Sequence, residues 1–167
     1  MTQSTPRKSS FPPVVDSHVR LLICGSLPGD RSLAAGQYYA HPQNQFWRLI
    51  SAVVDRDLVA LAYPDRLAAL LEAHVGLWDV VATAHRAGST DAALSAIAPN
   101  DIAALAATLP DLRAIAFNGG TALKHGLKLL GAIRCATVAL PSSSPLHTVG
   151  FDRKLPAWME LRDHLRH

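Results

Sequence analysis

Four short apolar runs, each followed by a loop of Gly, Pro or polar residues, most constrain the fold of this chain. They cover residues 19–24, 75–81, 112–117 and 134–140, and runs of this length between turn residues predict buried strands. Helical patterns lie between and after them, at residues 46–54, 64–74, 99–109, 121–130 and 154–165. This alternation predicts an α/β fold, a single-domain three-layer α/β/α sandwich with a four-stranded, mainly parallel sheet.

The length of the chain, 167 residues, is enough for one domain with a real core. Residues 1–17 contain no apolar signal-peptide segment, and we expect them to form a disordered lead before a folded domain of residues 18–167. No apolar stretch is long enough to cross a membrane. Cys24 and Cys135 lie in apolar runs without disulfide or metal spacing, which predicts buried thiols in a reducing, cytoplasmic compartment.

The charge and the motifs narrow the chemistry. A formal net charge of +3 permits a polyanionic partner but equally suits an ordinary globular protein. The sequence has no phosphate-binding loop, dinucleotide fingerprint, nucleophile elbow or zinc-ligand spacing. We therefore expect a reaction that uses no metal and no cofactor.

Ligands bind parallel sheets beyond the carboxyl ends of the strands, so four loops are expected to line one crevice. The first loop begins with a Gly-Ser-Leu-Pro-Gly turn, in which the backbone N–H groups of Gly25, Ser26 and Leu27 can face a ligand. It continues through aromatic residues that can stack on a base, and it ends near Asn44. The Asn44 amide can hold a water or read a base edge, or it can cap the helix that follows.

The second and third loops hold further candidates. Asp79 can bind a sugar hydroxyl or act as a base, although a solvated carboxylate is the simpler interpretation. Arg86 and Ser89 can hold a phosphate. Asn118, followed by two glycines, can contact a base edge with its amide, or it can belong to an ordinary strand-to-helix turn.

The fourth loop has the sequence Pro-Ser-Ser-Ser-Pro-Leu-His. Small hydroxyl and backbone donors of the kind supplied by Ser142, Ser143 and Ser144 grip phosphodiesters. Leu146 can wedge into a gap in stacked DNA, with His147 beside it. The alternative is a polar surface loop with one buried leucine.

Taken together, the four loops resemble the uracil-DNA glycosylase superfamily, and in particular its hypoxanthine-DNA (deoxyinosine) glycosylase branch. The matching segments read ICGSLPGDRSLAAGQYYAHPQNQFW, GLWDVVATAHRAGSTDAAL, IAFNGGTA and LPSSSPLHTVGFDRKLPAW, and they span about residues 21–158. The chain departs from the family in its first turn, which lacks the usual water-positioning Asp or Asn. It departs again at Leu146, where Ala is expected.

The resemblance implies an enzyme that hydrolyses the N-glycosidic bond of a flipped, deaminated base in DNA, and we expect it to act as a monomer. It assigns the water-holding role to Asn44 and a second functional role to Asn118. Tyr39 or Phe46 would then stack on the base. Ser142, Ser143 and Ser144 of the fourth loop (residues 141–147, the serine loop) would hold the flanking phosphates together with Lys154. Since no lysine lies inside the four loops, an abasic site without strand cleavage is the expected product.

Three alternatives remain at this stage. The substrate base can be uracil or a mismatched thymine rather than hypoxanthine. The same fold can bind damaged DNA without cleaving it. A small hydrolase can use Ser143 or Ser144 with His147 and Asp152, although nothing places the serine on a strained turn.

Overall fold

A computed structural model describes residues 7–131, 133 and 135–166. Its strands and helices follow one another in the order that the alternating pattern predicts, with additional short strands. The strands are β1 (Arg7–Ser9), β2 (Leu21–Gly25), β3 (Val75–Asp79), β4 (Val81–His85), β5 (Ser95–Pro99), β6 (Ala114–Asn118) and β7 (Ala136–Leu140). The helices are α1 (Asp30–Ala35), α2 (Phe46–Val54), α3 (Tyr63–Glu72), α4 (Ile102–Ala107), α5 (Gly120–Leu130) and α6 (Phe151–Met159), with 3-10 turns at Asp91–Ala93 and Glu160–His164.

The main sheet has four parallel strands in the order β3-β2-β6-β7. Every residue of β2 and β6 is buried, which explains why both strands are continuous apolar runs in the sequence. Gly25 pairs with Asp79 and Asn118 pairs with Leu140 at the carboxyl ends of the strands. The predicted four-stranded parallel sheet is therefore confirmed, and its strand ends bring the candidate loops to one edge.

Helices cover both faces of this sheet. Leu21 and Ile23 of β2 point into one apolar cluster, which α2, α3 and α6 close. Leu22 and Cys24 point into a second cluster, which α4 and α5 close. Successive strand residues face opposite sides of a sheet, so these alternating assignments define the predicted three layers.

A second, antiparallel sheet was not expected from the sequence. It has the order β1-β4-β5, and it divides the predicted strand 75–81, because β3 ends at Asp79 and β4 starts at Val81. The chain turns between them, where the Val80 N–H donates to the Gly25 carbonyl at 2.8 Å. Residues 95–99 pair with β4, so the predicted helix 99–109 is shorter and begins after its Asp101 cap.

The chain termini also differ from expectation. The predicted disordered lead is wrong from residue 7 onward, because Arg7–Ser9 pairs with β4 and Val14 bridges Leu77; residues 1–6 lie outside the described residues. The last helix begins earlier than predicted, at Phe151, and gives way to a 3-10 turn after Met159. Residue 134 of the predicted fourth strand also lies outside the described residues, and β7 begins at residue 136.

Candidate active site

Asn44 lies two residues before the start of α2 and is half-buried. Its side-chain Oδ1 accepts the Phe46 backbone N–H at 2.9 Å, and its own N–H donates to the His41 carbonyl at 2.9 Å. The N-cap of α2 is Gln45, so Asn44 is not the helix cap that the sequence suggested; it lies one residue before the cap and holds the N–H of the first helical residue. The same bond fixes the plane of the carboxamide, whose Nδ2 donates to no acceptor within the described parts of the chain.

The Gly25–Gly29 turn presents its backbone more than its side chains. A Cβ atom at Gly25 would lie 2.7 Å from Asp79 Oδ1 and 3.0 Å from the Tyr39 hydroxyl, so only glycine fits there. The Ser26 hydroxyl donates to Asp91 at 2.8 Å, and Leu27 is buried in the second apolar cluster. These contacts leave the backbone N–H groups of Ser26, Leu27 and Gly29 as the groups of the turn that a ligand can use.

Asp79 is the site residue that the sequence most underestimates. The solvated interpretation is wrong, because the residue is only 2% exposed and its Oδ2 has no hydrogen-bond partner among the described residues. Burial, reinforced by the charge of Asp91, raises the pKa of the Asp79 carboxyl to about 7, while Arg86 and the Gly25 N–H oppose the shift. The pairing of strand ends β2 and β3 is the signal that predicts this position beside Gly25.

The aromatic residues of the first loop do not both face a ligand. The Tyr39 and Phe46 rings stack on each other with centroids 4.0 Å apart, and Phe46 is fully buried. The prediction that Phe46 stacks on a base is therefore wrong, because its ring is part of the core. Tyr39 remains half-buried, in a left-handed backbone conformation with φ of 54°.

The Tyr39 hydroxyl is buried without a hydrogen-bond partner in the described residues. Burial, with the charge of Asp79 adding to it, raises the pKa of the Tyr39 hydroxyl well above its ordinary value. Two polar atoms, this hydroxyl oxygen and Asp79 Oδ2, therefore lie unsatisfied near Gly25 at the end of β2. Unsatisfied buried polar groups of this kind are uncommon and concentrate at functional sites.

Asn118 and Ser143 form a closed pair. The Asn118 Nδ2 donates to the Ser143 hydroxyl at 2.9 Å, and the Ser143 N–H donates to Asn118 Oδ1 at 2.9 Å. The Ser143 carbonyl in turn accepts the Gln45 N–H at 3.0 Å. Asn118 therefore holds the serine loop, and contact of its second Nδ2 proton with a base edge stays a prediction. Ser143 is 1% exposed, so the prediction that it grips a phosphate is wrong.

The rest of the serine loop is at the surface. Ser142 and Ser144 are half-buried; each hydroxyl accepts a backbone N–H two residues further on and keeps its own proton as a donor. Leu146 is 61% exposed, the largest value among the exposed large hydrophobic residues of the described chain, and His147 beside it is exposed. The leucine has the exposure that a DNA wedge requires.

Two predicted phosphate ligands are buried instead. Lys154 donates to the Ser144 carbonyl at 3.4 Å, and burial lowers the pKa of its amine. Arg86 is also fully buried and donates to backbone carbonyls, while the Ser89 hydroxyl accepts the Asp30 N–H. Both predictions are wrong, because these cations support loops from inside rather than face a polyanion.

The residues of the hydrolase alternative do not form a catalytic triad in the described structure. Ser143 is occupied by Asn118, while His147 and Asp152 are exposed and form no ion pair or side-chain hydrogen bond with each other or with Ser144 in the part of the chain described. No three His, Cys, Asp or Glu side chains of the described residues are grouped as a metal site. Across those same residues, the helices are too short or too polar to traverse a bilayer.

The fold is a three-layer α/β domain in which loops with polar residues lie at the carboxyl edge of the parallel sheet, the edge at which α/β enzymes bind their ligands. The uracil DNA glycosylase superfamily model matches residues 12–162. The chain belongs to this superfamily. A Methanosarcina barkeri protein named hypoxanthine DNA glycosylase is 36% identical over 154 residues, which cover 92% of this chain and 97% of that protein.

Two Methanosarcina acetivorans proteins are also similar. One, named hypoxanthine DNA glycosylase, is 40% identical over 137 residues, covering 82% of this chain and 86% of its own length. The other is a solution NMR structure provisionally described as a uracil DNA glycosylase. It superposes with a TM-score of 0.87 at 36% identity and covers 97% of this chain and 100% of its own. The predicted superfamily and fold are thus confirmed.

Proposed function

We propose that this protein is a DNA glycosylase that removes deaminated bases, with hypoxanthine in deoxyinosine as its main substrate. Two relatives at 36% and 40% identity carry the name hypoxanthine DNA glycosylase. The structural observation that carries the proposal is the fixed Asn44 carboxamide, held by the Phe46 N–H at the sheet edge that also bears the Gly25–Gly29 turn.

The chemistry of glycosidic cleavage suits these groups. The transition state has oxocarbenium character, so it needs a positioned water and a stabilised departing base rather than a strong nucleophile. Asn44 can hold the water in line, because its hydrogen bond from the Phe46 N–H already sets the orientation of the amide. Backbone N–H groups of the Gly25–Gly29 turn can stabilise the negative charge of the departing purine.

The serine loop supplies the contact with DNA. Leu146 would fill the gap left by the flipped nucleotide, while Ser142, Ser144 and His147 lie where they can contact the flanking backbone. A deaminated base pairs poorly, so it costs less to extrude than a normal base. The weak pairing of a deaminated base and the insertion of Leu146 therefore both favour flipping of the correct nucleotide.

We further propose a monofunctional, monomeric enzyme of the cytoplasm. A lyase step needs an amine that reaches the sugar, and the Lys154 amine is instead buried against the Ser144 carbonyl. The free thiols of Cys24 and Cys135 suit a reducing compartment. The relatives' names favour catalysis over a module that only binds damaged DNA.

The test uses end-labelled duplexes with a single deoxyinosine or deoxyuridine, incubated with the protein in the presence of a chelator. Strand breaks at inosine that appear only after hot alkali would support a monofunctional deoxyinosine glycosylase. Predominant cleavage at uracil would move the preferred base, and breaks without alkali would refute the absence of lyase activity. Binding without any time-dependent product would refute catalysis.

A further inference from the structure

The Gly25–Gly29 turn is supported from inside by one buried cation. The Arg86 guanidinium is fully buried, and it donates to the Pro28 carbonyl at 2.6 Å, the Leu27 carbonyl at 3.4 Å and the Gly88 carbonyl at 2.7 Å. A planar group with fixed donors holds several carbonyls in one geometry, which a flexible ammonium group cannot do.

The direction of the Gly29 N–H follows from the bond between Arg86 and the Pro28 carbonyl. In a trans peptide the carbonyl and the next N–H point in opposite directions, and the described chain has no cis peptide. Because Arg86 takes the Pro28 carbonyl, the Gly29 N–H points away from the guanidinium. Within the described structure the N–H groups of Ser26, Leu27 and Gly29 donate to no protein acceptor.

A second layer of charges fixes Arg86 in turn. Asp30 Oδ1 lies 3.7 Å from the guanidinium and 2.5 Å from the Lys8 amine, which also donates to the Gly88 carbonyl at 2.6 Å. The Ser89 hydroxyl accepts the Asp30 N–H at 2.9 Å. Lys8 belongs to β1, so the N-terminal strand takes part in holding the turn.

We propose that Arg86 is a positioning residue for base excision: it holds the Pro28 carbonyl so that the Gly29 N–H faces the departing base, with Lys8 and Asp30 as its support. This inference rests on the proposed glycosylase function. Arg86 would thus contribute to catalysis without touching the substrate. Strand β1, which carries Lys8, would contribute as well, although it is far along the chain from the proposed wedge residue Leu146.

The sharpest test removes one N–H. Gly29 has φ of −67°, which proline adopts, and a Cβ there makes only ordinary contacts with Ser89. Gly29→Pro deletes the donor, whereas Gly29→Ala keeps it. We expect single-turnover excision by the proline variant to be about 100-fold slower than by the alanine variant. Equal rates for the two variants would overturn the role of the N–H.

The support is tested with Arg86→Lys and Lys8→Met, and with Arg7→Met as the matched control, since Arg7 lies on the same strand but contacts Thr83. The rate should fall about 100-fold for Arg86→Lys and about tenfold for Lys8→Met. The reaction amplitude and the affinity for a duplex with hydrolysis-resistant 2′-fluorinated deoxyinosine should stay unchanged. A merely structural role would instead reduce the amplitude.

The outcomes separate the two proposals. If the unaltered protein excises no base, the glycosylase function itself fails. If the unaltered protein excises hypoxanthine and both Arg86→Lys and Lys8→Met match its rate, only the positioning role is overturned. Should Arg86→Lys fail to fold, the Lys8 and Gly29 variants still decide the question.

Discussion

Asp79→Asn should make the protein more stable at alkaline pH, which is unusual for a change at a candidate site. The carboxyl is buried beside Gly25 with one unpartnered oxygen, and its pKa is raised from 3.8 to about 7. A raised carboxyl pKa means that the folded state favours the neutral acid. The associated stability is complete below the unfolded pKa and is lost as the pH rises through about 7. Asparagine approximates the neutral acid at every pH.

The magnitude follows from the shift. About three pKa units at 1.36 kcal/mol each correspond to about 4 kcal/mol between strongly acidic and alkaline conditions. Part of this loss occurs below pH 5, because the unfolded carboxyl ionises there. The Asn variant should therefore gain about 3 kcal/mol over the natural sequence between pH 5 and pH 8. This is a large share of the stability of a typical domain.

Urea unfolding followed by tryptophan fluorescence measures the effect at fixed ionic strength across pH 5 to 8. Asp152→Asn is the matched control, since that carboxylate is exposed, and its difference from the natural sequence should stay constant across the range. A constant difference for Asp79→Asn, or one that falls as the pH rises, would show that Asp79 is ionised in the folded protein.

Three further variants test the site and the core. Asn44→Ala should abolish excision but spare binding to inosine-containing DNA. Loss of the hydrogen bond to the Phe46 N–H should also lower the unfolding free energy by about 1 kcal/mol. Turnover assays with unchanged rates would refute the water-holding role. Leu146→Ala should slow excision about tenfold in duplex DNA but not in single strands, because a wedge matters only where a stack must be opened; equal losses in both substrates would count against a wedge. Gly126→Ala should lower stability by at least about 2 kcal/mol, since the added Cβ would lie 2.1 Å from the Phe117 ring, and thermal melting measures this loss.

The sequence predicts the main sheet because its strands are buried on both faces. Continuous apolar runs such as residues 21–25 and 114–118 have no other stable place in a domain of this size. The second sheet has weaker signals. Its strands are short, and β5, with the pattern Ser-Ala-Ile-Ala-Pro, is partly exposed and does not stand out beside an Ala-rich helix. The lead 7–9 pairs only through tertiary contact with β4.

In the candidate site too, some features can be predicted from the local sequence and others depend on tertiary contacts. Position along the chain is sufficient to predict that Asn44, Gly25 and Leu146 gather at one edge, because parallel strands end on one side. It is not sufficient to predict which way a cation points. Lys154 and Arg86 are residue types that often bind phosphate, yet both donate to carbonyl groups of loops. A buried carbonyl without a donor is costly, and these cations prevent that cost. The position of Asp79 beside Gly25 depends on the register between β2 and β3, and no local sequence pattern reveals that register.

The Ser143 hydrogen bonds have a consequence for how this enzyme can vary. One residue joins the end of β6, through Asn118, to the backbone of Gln45 at the start of α2. The serine loop and the segment that carries Asn44 are therefore both anchored by Ser143. Exchanging a side chain on the outer part of that loop, such as Leu146, leaves these bonds intact. Inserting or deleting a residue between Leu140 and Ser143 would instead shift Gln45 and move Asn44 with it. Substrate range can thus change through the chemistry of the loop while its length stays fixed.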